Sequence, residues 1–516
     1  MRYPKSEGGG RIGIPGIQGI GTWLWPIILF VVTLFTRIPF TSRFLYDQDA
    51  VQFALALEKY DVYLHQPHPP GYFVYVMLGK LINLFFHDAN SSFLLLSLIG
   101  SGLTVVAVYY LGFIIFDRET GLWAAAFALT SPLLWYYGEL ALTYAVAAFF
   151  NTWIAILCWR LLQKESRSLY LSAVILGITG GIRQDVLIFL FPLWLFCVLR
   201  FEWKQVLAFG ASLGITIAAW VIPMLVMTGG LERYSAAVRE LWHFHNRTFA
   251  IWNAGIGSRT HFLLALLGNV SYGVGLGMLF LFFALYVLIR TGEWRRVAKP
   301  KILFFVLWLL PAFLFNIFVF MNPDQAGYGV FFLPALFVLV VPSIKYGLAA
   351  ISKVLSRPKL PGIGMYRTMA LVVIVVNGVF FLLSDSVVSA KGIRKHDDHL
   401  SVILRGIERN FRPEESIIID DKSYQLYNYR HVQYYLRRYR VYLTALAGNT
   451  ENPWHIFFGQ NGQTFISKGF DLSPDVRYVV YLANPLDHRY AETLKAKGLH
   501  RLAVGETTAL FYEDRR

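Results

Sequence analysis

The stretch YDQDAVQFALALEKYDVYLHQPHPPGY, residues 46–72, directly follows the first long apolar segment of the chain. It places two near-adjacent carboxylates, Asp47 and Asp49, before a helical pattern, and two histidines, His65 and His68, in a proline-rich turn. Ionisable groups beside membrane-like sequence are costly unless they have a role, so this stretch is a candidate functional segment.

The composition is that of an integral membrane protein. Of 516 residues, 56% are hydrophobic and only 15% are charged, and the mean hydropathy of +0.49 lies outside the range of ordinary soluble domains. The net charge of +15 is concentrated in short loops between apolar segments, where membrane orientation explains it better than nucleic-acid binding. Cys158 and Cys197 lie inside apolar segments and predict packing residues, because neither a disulfide framework nor a thiolate metal site is supported.

Apolar runs long enough to cross a bilayer recur from residue 22 to residue 388. They predict a polytopic α-helical membrane protein of about eleven spans, with the N-terminus cytoplasmic, because this count places the basic loop clusters on the cytoplasmic side. The predicted spans are residues 22–39, 92–116, 121–137, 143–162, 169–182, 186–199, 205–228, 262–289, 302–320, 328–344 and 368–388. The short pair 169–182 and 186–199 is either two spans or one broken hairpin.

The segment 71–86 is not counted as a span. As a helix it would reach only about 24 Å, less than the thickness of a bilayer core. Its polar and small residues recur along one face, which favours a helix lying in the membrane interface.

The chain divides into three predicted parts. These are a cytoplasmic tail (1–21), a transmembrane domain (22–390) whose outer loop 41–91 carries the candidate catalytic residues, and a small extracytoplasmic α/β domain (391–516). In the last part, strand patterns cover 415–421, 476–483 and 500–506, and helical patterns cover 423–439 and 491–498. No nucleotide-binding glycine loop is found there.

Asp49 is followed three residues later by Gln52, which is the spacing of a capping box. A capping aspartate uses one oxygen, so Asp49 can cap the helix and still act as a general base or bind a metal together with Asp47. His65 and His68 could also ligate a metal, but the proline between them disfavours helical spacing. Contact with a phosphate or a sugar is the preferred interpretation of these histidines.

Further candidates lie at predicted outer turns. Glu139 follows a tyrosine pair, where it is either solvated at the membrane edge or accepts a hydrogen bond from a sugar hydroxyl. Arg183 and Asp185 end the sequence GITGGIRQD, residues 177–185. Irregular backbone at membrane depth lines cavities, and arginine offers a fork for phosphate; the alternative is a snorkelling arginine paired with its neighbour.

The loop 229–261 is rich in cationic and aromatic side chains, against the positive-inside trend. This composition suits either an interfacial belt or a site for an anionic lipid headgroup, and Lys80 of the interfacial helix could join such a site. The candidate residues within the loop are Arg239, His243, His245 and Arg247.

These features resemble the GT-C glycosyltransferases, the membrane class that includes protein mannosyltransferases (glycosyltransferase family 39) and aminoarabinose transferases. The resemblance covers roughly residues 20–345. It is most specific at DQDAVQFALALEKYDVYLHQPHPPGYFVYVMLGKL, residues 47–81. Similar features are FDRETGLWAAAFALTSPLLWYYGEL (116–140), GITGGIRQD (177–185) and DQAGYGVFFLPAL (324–336).

The resemblance implies transfer of one sugar from a polyprenyl-phosphate-linked donor to a glycan, lipid or protein acceptor on the outer face of the plasma (inner) membrane, usually with inversion. It makes Asp49 or Asp47 the catalytic candidate, and it assigns the lipid phosphate to Arg183 and the basic residues of 229–261. The further substrate-binding candidates are Tyr72, Asp324, Gln325 and Tyr328. Members differ in metal dependence, so a divalent metal at Asp47 and Asp49 remains open.

The main alternative is a multi-pass transporter or flippase for a lipid-linked or small solute. Such a protein would carry ionisable groups near the bilayer midplane on discontinuous helices of two related halves. Here the conspicuous ionisable groups lie at outer loop positions, which favours the enzyme. A membrane anchor for the C-terminal part would need only one or two spans.

Overall fold

The computed structural model of the chain describes residues 21–165, 168–250, 252, 256–320, 325–354, 363–420, 426–443, 474–482, 488–496, 498–505 and 508–515. Helices dominate this part. They are α1 (Gly21–Arg37), α2 (Gln48–Glu58), α3 (Phe73–Phe86), α4 (Ala89–Ile115), α5 (Arg118–Thr130), α6 (Pro132–Gly138), α7 (Tyr144–Leu162), α8 (Ser168–Ile182), α9 (Gln184–Val198), α10 (Trp203–Thr228), α11 (Leu231–Phe249), α12 (Ile256–Val274), α13 (Gly277–Thr291), α14 (Lys299–Phe318), α15 (Leu333–Val354), α16 (Ile363–Leu383), α17 (Ala390–Asn410), α18 (Tyr429–Tyr435) and α19 (His488–Ala496).

Side-chain caps determine where several of these helices begin. Asp47, Asp88 and Asp117 precede α2, α4 and α5, and each carboxylate accepts a hydrogen bond from a backbone N–H of the first turn. These bonds satisfy donors that have no partner inside the helix. The short turn between α3 and α4 is therefore fixed by its own sequence.

Among the described residues, six helices are long and apolar enough to cross a membrane, and the number of spans is seven if the bent pair α12 and α13 is counted as one further span. The six are Ala89–Ile115, Tyr144–Leu162, Trp203–Thr228, Lys299–Phe318, Leu333–Ser352 and Gly364–Leu383. The other apolar helices in the described ranges, including α1, α8 and α9, are shorter. The membrane class is confirmed, whereas the predicted number of about eleven spans is not.

Two predicted spans are not single straight helices. The span predicted over 121–137 is divided at Ser131, where Pro132 starts α6 and the Ser131 hydroxyl donates to the carbonyl of Gly273 at 2.7 Å. The span predicted over 262–289 bends by 110° between α12 and α13, near Gly275 with φ +64°. Local backbone breaks that hydropathy averaging does not detect explain both differences.

Helix α3 has the short length expected of an interfacial helix, with 14 residues. Its small and polar side faces the protein: Tyr75 and Gly79 are buried, and a Cβ at Gly79 would lie 2.2 Å from the Phe93 ring of α4. Leu84 and Phe85 on the opposite side are exposed. This apolar side is suited to lipid.

Near the C-terminus the chain forms a five-stranded sheet of order β2-β1-β3-β5-β4. The strands are β1 (Ser416–Asp420), β2 (Arg440–Leu443), β3 (Tyr478–Tyr481), β4 (His500–Ala503) and β5 (Ala509–Asp514). β1 pairs in parallel with β2 and β3, while β5 runs antiparallel to β3 and β4. We call residues 390–515 the C-terminal α/β region.

The helix predicted over 423–439 is wrong in length. Asn428 caps α18, which ends at Tyr435, and the following residues turn into β2 because Val441 pairs with Ile418 of β1. Strands β2 and β5 and the amphipathic helix α17 were not predicted. Residues 423–425 of the predicted helix lie outside the described residues.

Candidate functional site

Asp47 is the N-cap of α2. Its Oδ1 accepts a hydrogen bond from the N–H of Ala50 at 2.9 Å, and the residue is 9% exposed. Burial, together with the nearby charge of Asp49, raises the pKa of Asp47 well above its usual range. These conditions favour the protonated form of Asp47, because an unpaired charge is costly to bury.

Asp49 lies in the first turn of α2 and is the more accessible of the two acids, with 27% of its side chain exposed. The cap predicted at Asp49 is therefore wrong: Asp47 has the extended backbone of an N-cap residue, and Asp49 is already helical. One aspartate holds the helix start, and the other presents its carboxylate to a neighbouring side chain.

That neighbour is His68. Its Nδ1 lies 3.6 Å from Oδ1 of Asp49, and its Nε2 lies 3.1 Å from the hydroxyl of Tyr72. Burial lowers the pKa of His68, and the charge of Asp49 partly opposes this effect. A neutral His68 thus connects the Asp49 carboxylate to Tyr72.

Side chains from other segments donate hydrogen bonds to the backbone carbonyls of the proline-rich turn. The carbonyl of Pro70 accepts hydrogen bonds from Tyr234 of α11 at 3.1 Å and from Gln184 of α9 at 3.2 Å. The next carbonyl, that of Gly71, accepts one from Tyr60 at 2.5 Å. Gly71 has φ +118°, and a Cβ there would lie 2.9 Å from the Tyr60 hydroxyl, so the turn requires glycine.

Arg183 lies between α8 and α9 and is 4% exposed. Its Nε donates to both carboxylate oxygens of Asp185 at 3.0 Å, and its Nη1 donates to Oγ1 of Thr143 at 2.9 Å. The pairing predicted between Arg183 and Asp185 is present, but the arginine is buried among protein groups rather than snorkelling to the membrane surface.

Aromatic rings surround the Arg183 guanidinium. Its Cζ lies 4.4 Å from the ring centre of Tyr144, 5.2 Å from that of Tyr328 and 5.9 Å from that of Tyr72. Rings at these distances stabilise a buried cation. Tyr72 contacts both His68 and Arg183, so the acidic and cationic groups form one continuous surface.

The segment before α15 completes this surface. The hydroxyl of Tyr144 donates to Oε1 of Gln325 at 3.0 Å. His245 of α11 lies against Phe320, with 4.8 Å between ring centres, and Phe320 lies 4.9 Å from Tyr328. Burial lowers the pKa of His245 to about 4. Helix α11 and the described residues 325–332 therefore lie close together beside Arg183.

Several predicted residues do not join this surface. Lys80 is exposed on α3, and Arg239 and His243 are exposed on α11. Arg247 belongs to α11, but its side chain lies outside what the structure describes, and Asp324 lies outside the described residues altogether. His65 is fully buried, and burial, together with the nearby charge of Arg430, lowers the pKa of His65.

Glu139 is fully buried, so it is not solvated at the membrane edge, and its contact with a sugar stays a prediction. Burial raises the pKa of Glu139 well above its usual range, while the charge of Arg37 at the end of α1 opposes this. Arg37 stacks on Trp135 at 4.6 Å and donates to the carbonyl of Leu129 at 2.5 Å. The acid thus belongs to a buried group between α1 and α6.

Sequence inspection missed Thr143, Tyr144 and Phe331. Thr143 and Tyr144 follow the turn that contains Glu139, yet no local pattern distinguishes them from ordinary helix-start residues. Phe331, 5.4 Å from the Arg183 guanidinium, lies within an apolar run. Their role depends on the packing of α7 and of the segment 326–331 against Arg183.

The metal considered at Asp47 and Asp49 finds little support in these groups. No three His, Cys, Asp or Glu side chains are grouped as metal ligands within the described ranges. Oδ1 of Asp47 already accepts a hydrogen bond from the backbone N–H of Ala50 in the helix cap. The described side chains do not fit a metal, and no step below uses one.

Comparison with solved structures identifies the architecture. The crystal structure of ArnT from Cupriavidus metallidurans bound to undecaprenyl phosphate superposes with a TM-score of 0.56 at 14% identity, covering 95% of this chain and 97% of that chain. The protein has the GT-C fold. At this identity the likeness concerns the fold, so the roles of individual residues require separate argument.

A second solved structure shows a weaker likeness to this protein. The archaeal oligosaccharyltransferase AglB from Archaeoglobus fulgidus, in complex with an inhibitory peptide and a dolichol-phosphate, gives a TM-score of 0.46 at 12% identity, covering 90% of this chain and 70% of that chain. No family model matches the sequence, and no curated protein matches it either.

Proposed function

We propose that this protein is an integral membrane glycosyltransferase that transfers a hexose or pentose from a polyprenyl-phosphate-linked donor to an acceptor hydroxyl on the outer face of the membrane, with inversion. The observation that carries the proposal is the continuous chain of neighbours from the accessible Asp49 carboxylate to His68, from His68 to Tyr72, and from Tyr72 to the Arg183 guanidinium.

Asp49 is the proposed general base. Its carboxylate is partly exposed and lies 3.6 Å from Nδ1 of His68. Asp47 is buried and uses an oxygen for its helix cap, so it is the poorer candidate. A base within hydrogen-bond reach of the acceptor hydroxyl removes its proton as that oxygen becomes nucleophilic.

Arg183 is the proposed partner of the donor phosphate. A guanidinium fork suits phosphate oxygens, and Asp185 and the tyrosine rings fix its orientation before the substrate arrives. A preorganised cation stabilises the charge that develops on the leaving phosphate. His245, Gln325 and Tyr328 line the same side and are proposed to contact the sugar or the phosphate.

In the proposed step, the acceptor oxygen forms a bond to the anomeric carbon while the bond from that carbon to the phosphate oxygen breaks. The proton of the acceptor moves to Asp49, and the bonding electron pair leaves with the phosphate. The products are the glycosylated acceptor, inverted at the anomeric carbon, and a polyprenyl phosphate near Arg183.

A polyprenyl tail needs apolar surface beside this polar group. The C-terminal end of α10 contacts the loop 41–91, since Oγ1 of Thr228 lies 3.5 Å from the backbone nitrogen of Val62. Ile222, Val226 and Leu231 around this end are exposed. These apolar side chains support a lipid-linked donor. The proposed orientation has the N-terminus in the cytoplasm and the C-terminal region outside the plasma (inner) membrane.

The proposal is tested with purified protein in lipid nanodiscs and a panel of hexosyl and pentosyl polyprenyl phosphates, with the released lipid phosphate measured by mass spectrometry. One donor should turn over, and Asp49→Asn should abolish the reaction while the protein stays folded. Glu165→Gln, which changes an acid 45% exposed at the distant turn after α7, is the matched control. If the protein bound none of the donors, the result would contradict the proposal and favour a transporter.

A further inference from the structure

Helix α18 of the C-terminal α/β region contacts the residue between the two aspartates. Nδ2 of Asn428 donates to Oε1 of Gln48 at 2.8 Å, and both residues are buried. Oδ1 of the same asparagine accepts a hydrogen bond from the N–H of Arg430 at 3.0 Å and caps α18. One side chain therefore joins the start of α18 to the start of α2.

Arg430 makes a second contact two residues later. It is fully buried, and its Nη2 donates to the carbonyl of Leu64 at 3.1 Å, directly before His65 and the proline-rich turn. Its Nη1 donates to Oε1 of Gln433 at 3.0 Å, which fixes the guanidinium on α18. Arg430 thus reaches the segment that carries His68.

The contacts of α17 extend this attachment. Asp397 is fully buried and accepts hydrogen bonds from Oγ of Ser42 at 2.7 Å and from the N–H of Arg43 at 2.8 Å. The His396 ring lies 4.1 Å from the ring of Tyr46. The chain entering α2 is therefore held along its length by the C-terminal α/β region.

We propose that Asn428 and Arg430 are positioning residues, which hold α2 and the proline-rich turn so that Asp49 and His68 stay beside Tyr72 and Arg183. This inference rests on the proposed function of Asp49. It gives the C-terminal α/β region a part in the reaction through the position of α2 and the proline-rich turn.

The physical reason is that α2 and the proline-rich turn are not stable in this arrangement without contacts from other parts of the chain. An 11-residue helix is marginal in isolation, so α2 depends on tertiary contacts for its placement. Gln48 and Asn428 are buried polar partners, and the loss of either leaves the other unsatisfied. A displacement of about 1 Å at a reacting group can cost about 100-fold in rate.

The experiment separates the contact from the helix cap. Asn428→Ser keeps a good capping residue but loses the amide that reaches Gln48. We expect it to lower kcat by about 10- to 100-fold with little change in KM. Gln48→Ala should have the same effect from the other side, and the double variant should be no worse than either single variant, because both remove one contact.

Arg430→Lys tests the second contact while keeping the charge, and it should also lower kcat. Arg438→Ala is the matched control, because Arg438 is exposed in the same region and pairs only with Glu414 among the described partners. It should retain wild-type kcat.

Hydrogen exchange gives a readout that does not depend on activity. Residues 45–68 should exchange faster in Asn428→Ser and Arg430→Lys, while α4 and α7 stay protected. Wild-type exchange in these residues, or unchanged kcat in both variants, would overturn the inference. Faster exchange combined with a wild type that turns over no donor would instead contradict the proposed function and leave the attachment intact.

Discussion

Oδ1 of Asp49 lies 3.6 Å from Nδ1 of His68, which brings the start of α2 together with the proline-rich turn 19 positions later in the chain. Asp47, two residues earlier, directs its carboxylate to the backbone of its own helix instead. Two acids that look equivalent in sequence thus have different environments.

The first prediction distinguishes these acids. Asp49→Asn should lower the rate of sugar transfer by about 100- to 10,000-fold, which is the usual contribution of general base catalysis. Asp47→Asn should cost less than about tenfold, because asparagine is also a good N-cap. Initial rates of both purified variants check this, and equal losses would contradict the assignment of the base.

The second prediction concerns the phosphate partner. Arg183→Lys keeps a positive charge but loses the fork and the flat face that packs against Tyr144. The Kd for a polyprenyl phosphate should rise about tenfold, equivalent to about 1.4 kcal/mol. Direct binding in nanodiscs measures it.

Arg200→Lys is the control for this measurement, because Arg200 is an exposed arginine just after α9 and outside the proposed site, so this variant should leave the Kd unchanged. Unchanged binding in Arg183→Lys, with an unchanged apparent Tm, would assign the phosphate to another cation.

The third prediction uses Gly327, which packs against Tyr144, one of the rings around the Arg183 guanidinium. A Cβ at Gly327 would lie 2.2 Å from the Tyr144 ring, so Gly327→Ala must displace this ring from Arg183. Binding of the polyprenyl phosphate should weaken severalfold. Gly210→Ala is the matched control, since a Cβ there meets nothing within 4 Å. An unaffected Kd in Gly327→Ala would show that the ring does not orient the arginine.

The fourth prediction concerns pH. Burial lowers the pKa of His245 to about 4 from its ordinary value of 6.5. Between these values the unfolded chain binds a proton that the folded chain does not, so stability is complete above pH 6.5 and falls as the pH drops towards 4. The apparent Tm of His245→Gln should therefore decrease less from pH 7 to pH 5 than that of the wild type.

His243→Gln, which changes an exposed histidine of the same helix, should retain the wild-type dependence of the apparent Tm on pH. If His245→Gln and His243→Gln gave the same pH profile, the burial of His245 would not be the cause of the lost stability.

The sequence predicted those elements that depend only on residues close together in the chain. The apolar runs of α4, α7, α10, α14, α15 and α16 are long enough to span a membrane by themselves. The short helix α3 and the strand β1 were likewise evident from length and pattern. Helix breaks at Ser131 and Gly275 escaped notice because averaged hydropathy does not register one or two residues.

The candidate site was predicted in part. Asp49, His68 and Arg183 were selected because charged groups are rare in apolar sequence. Glu139 was selected for the same reason, and the packing of α1 and α6 encloses it with Arg37, so that its contact with a sugar stays a prediction. Tyr144 could not be found in this way, since one tyrosine at a helix start is unremarkable until Arg183, far along the chain, packs against it.

The sequence by itself determined that this chain is an integral membrane protein with an acidic and histidine-containing loop after its first apolar segment, because run length, turn residues and charge act over a few neighbouring positions. Tertiary structure decided which aspartate is accessible, which arginine is enclosed by rings and which distant helix holds α2. Those properties depend on burial and on contacts such as that of Gln48 with Asn428, which join residues far apart in the chain.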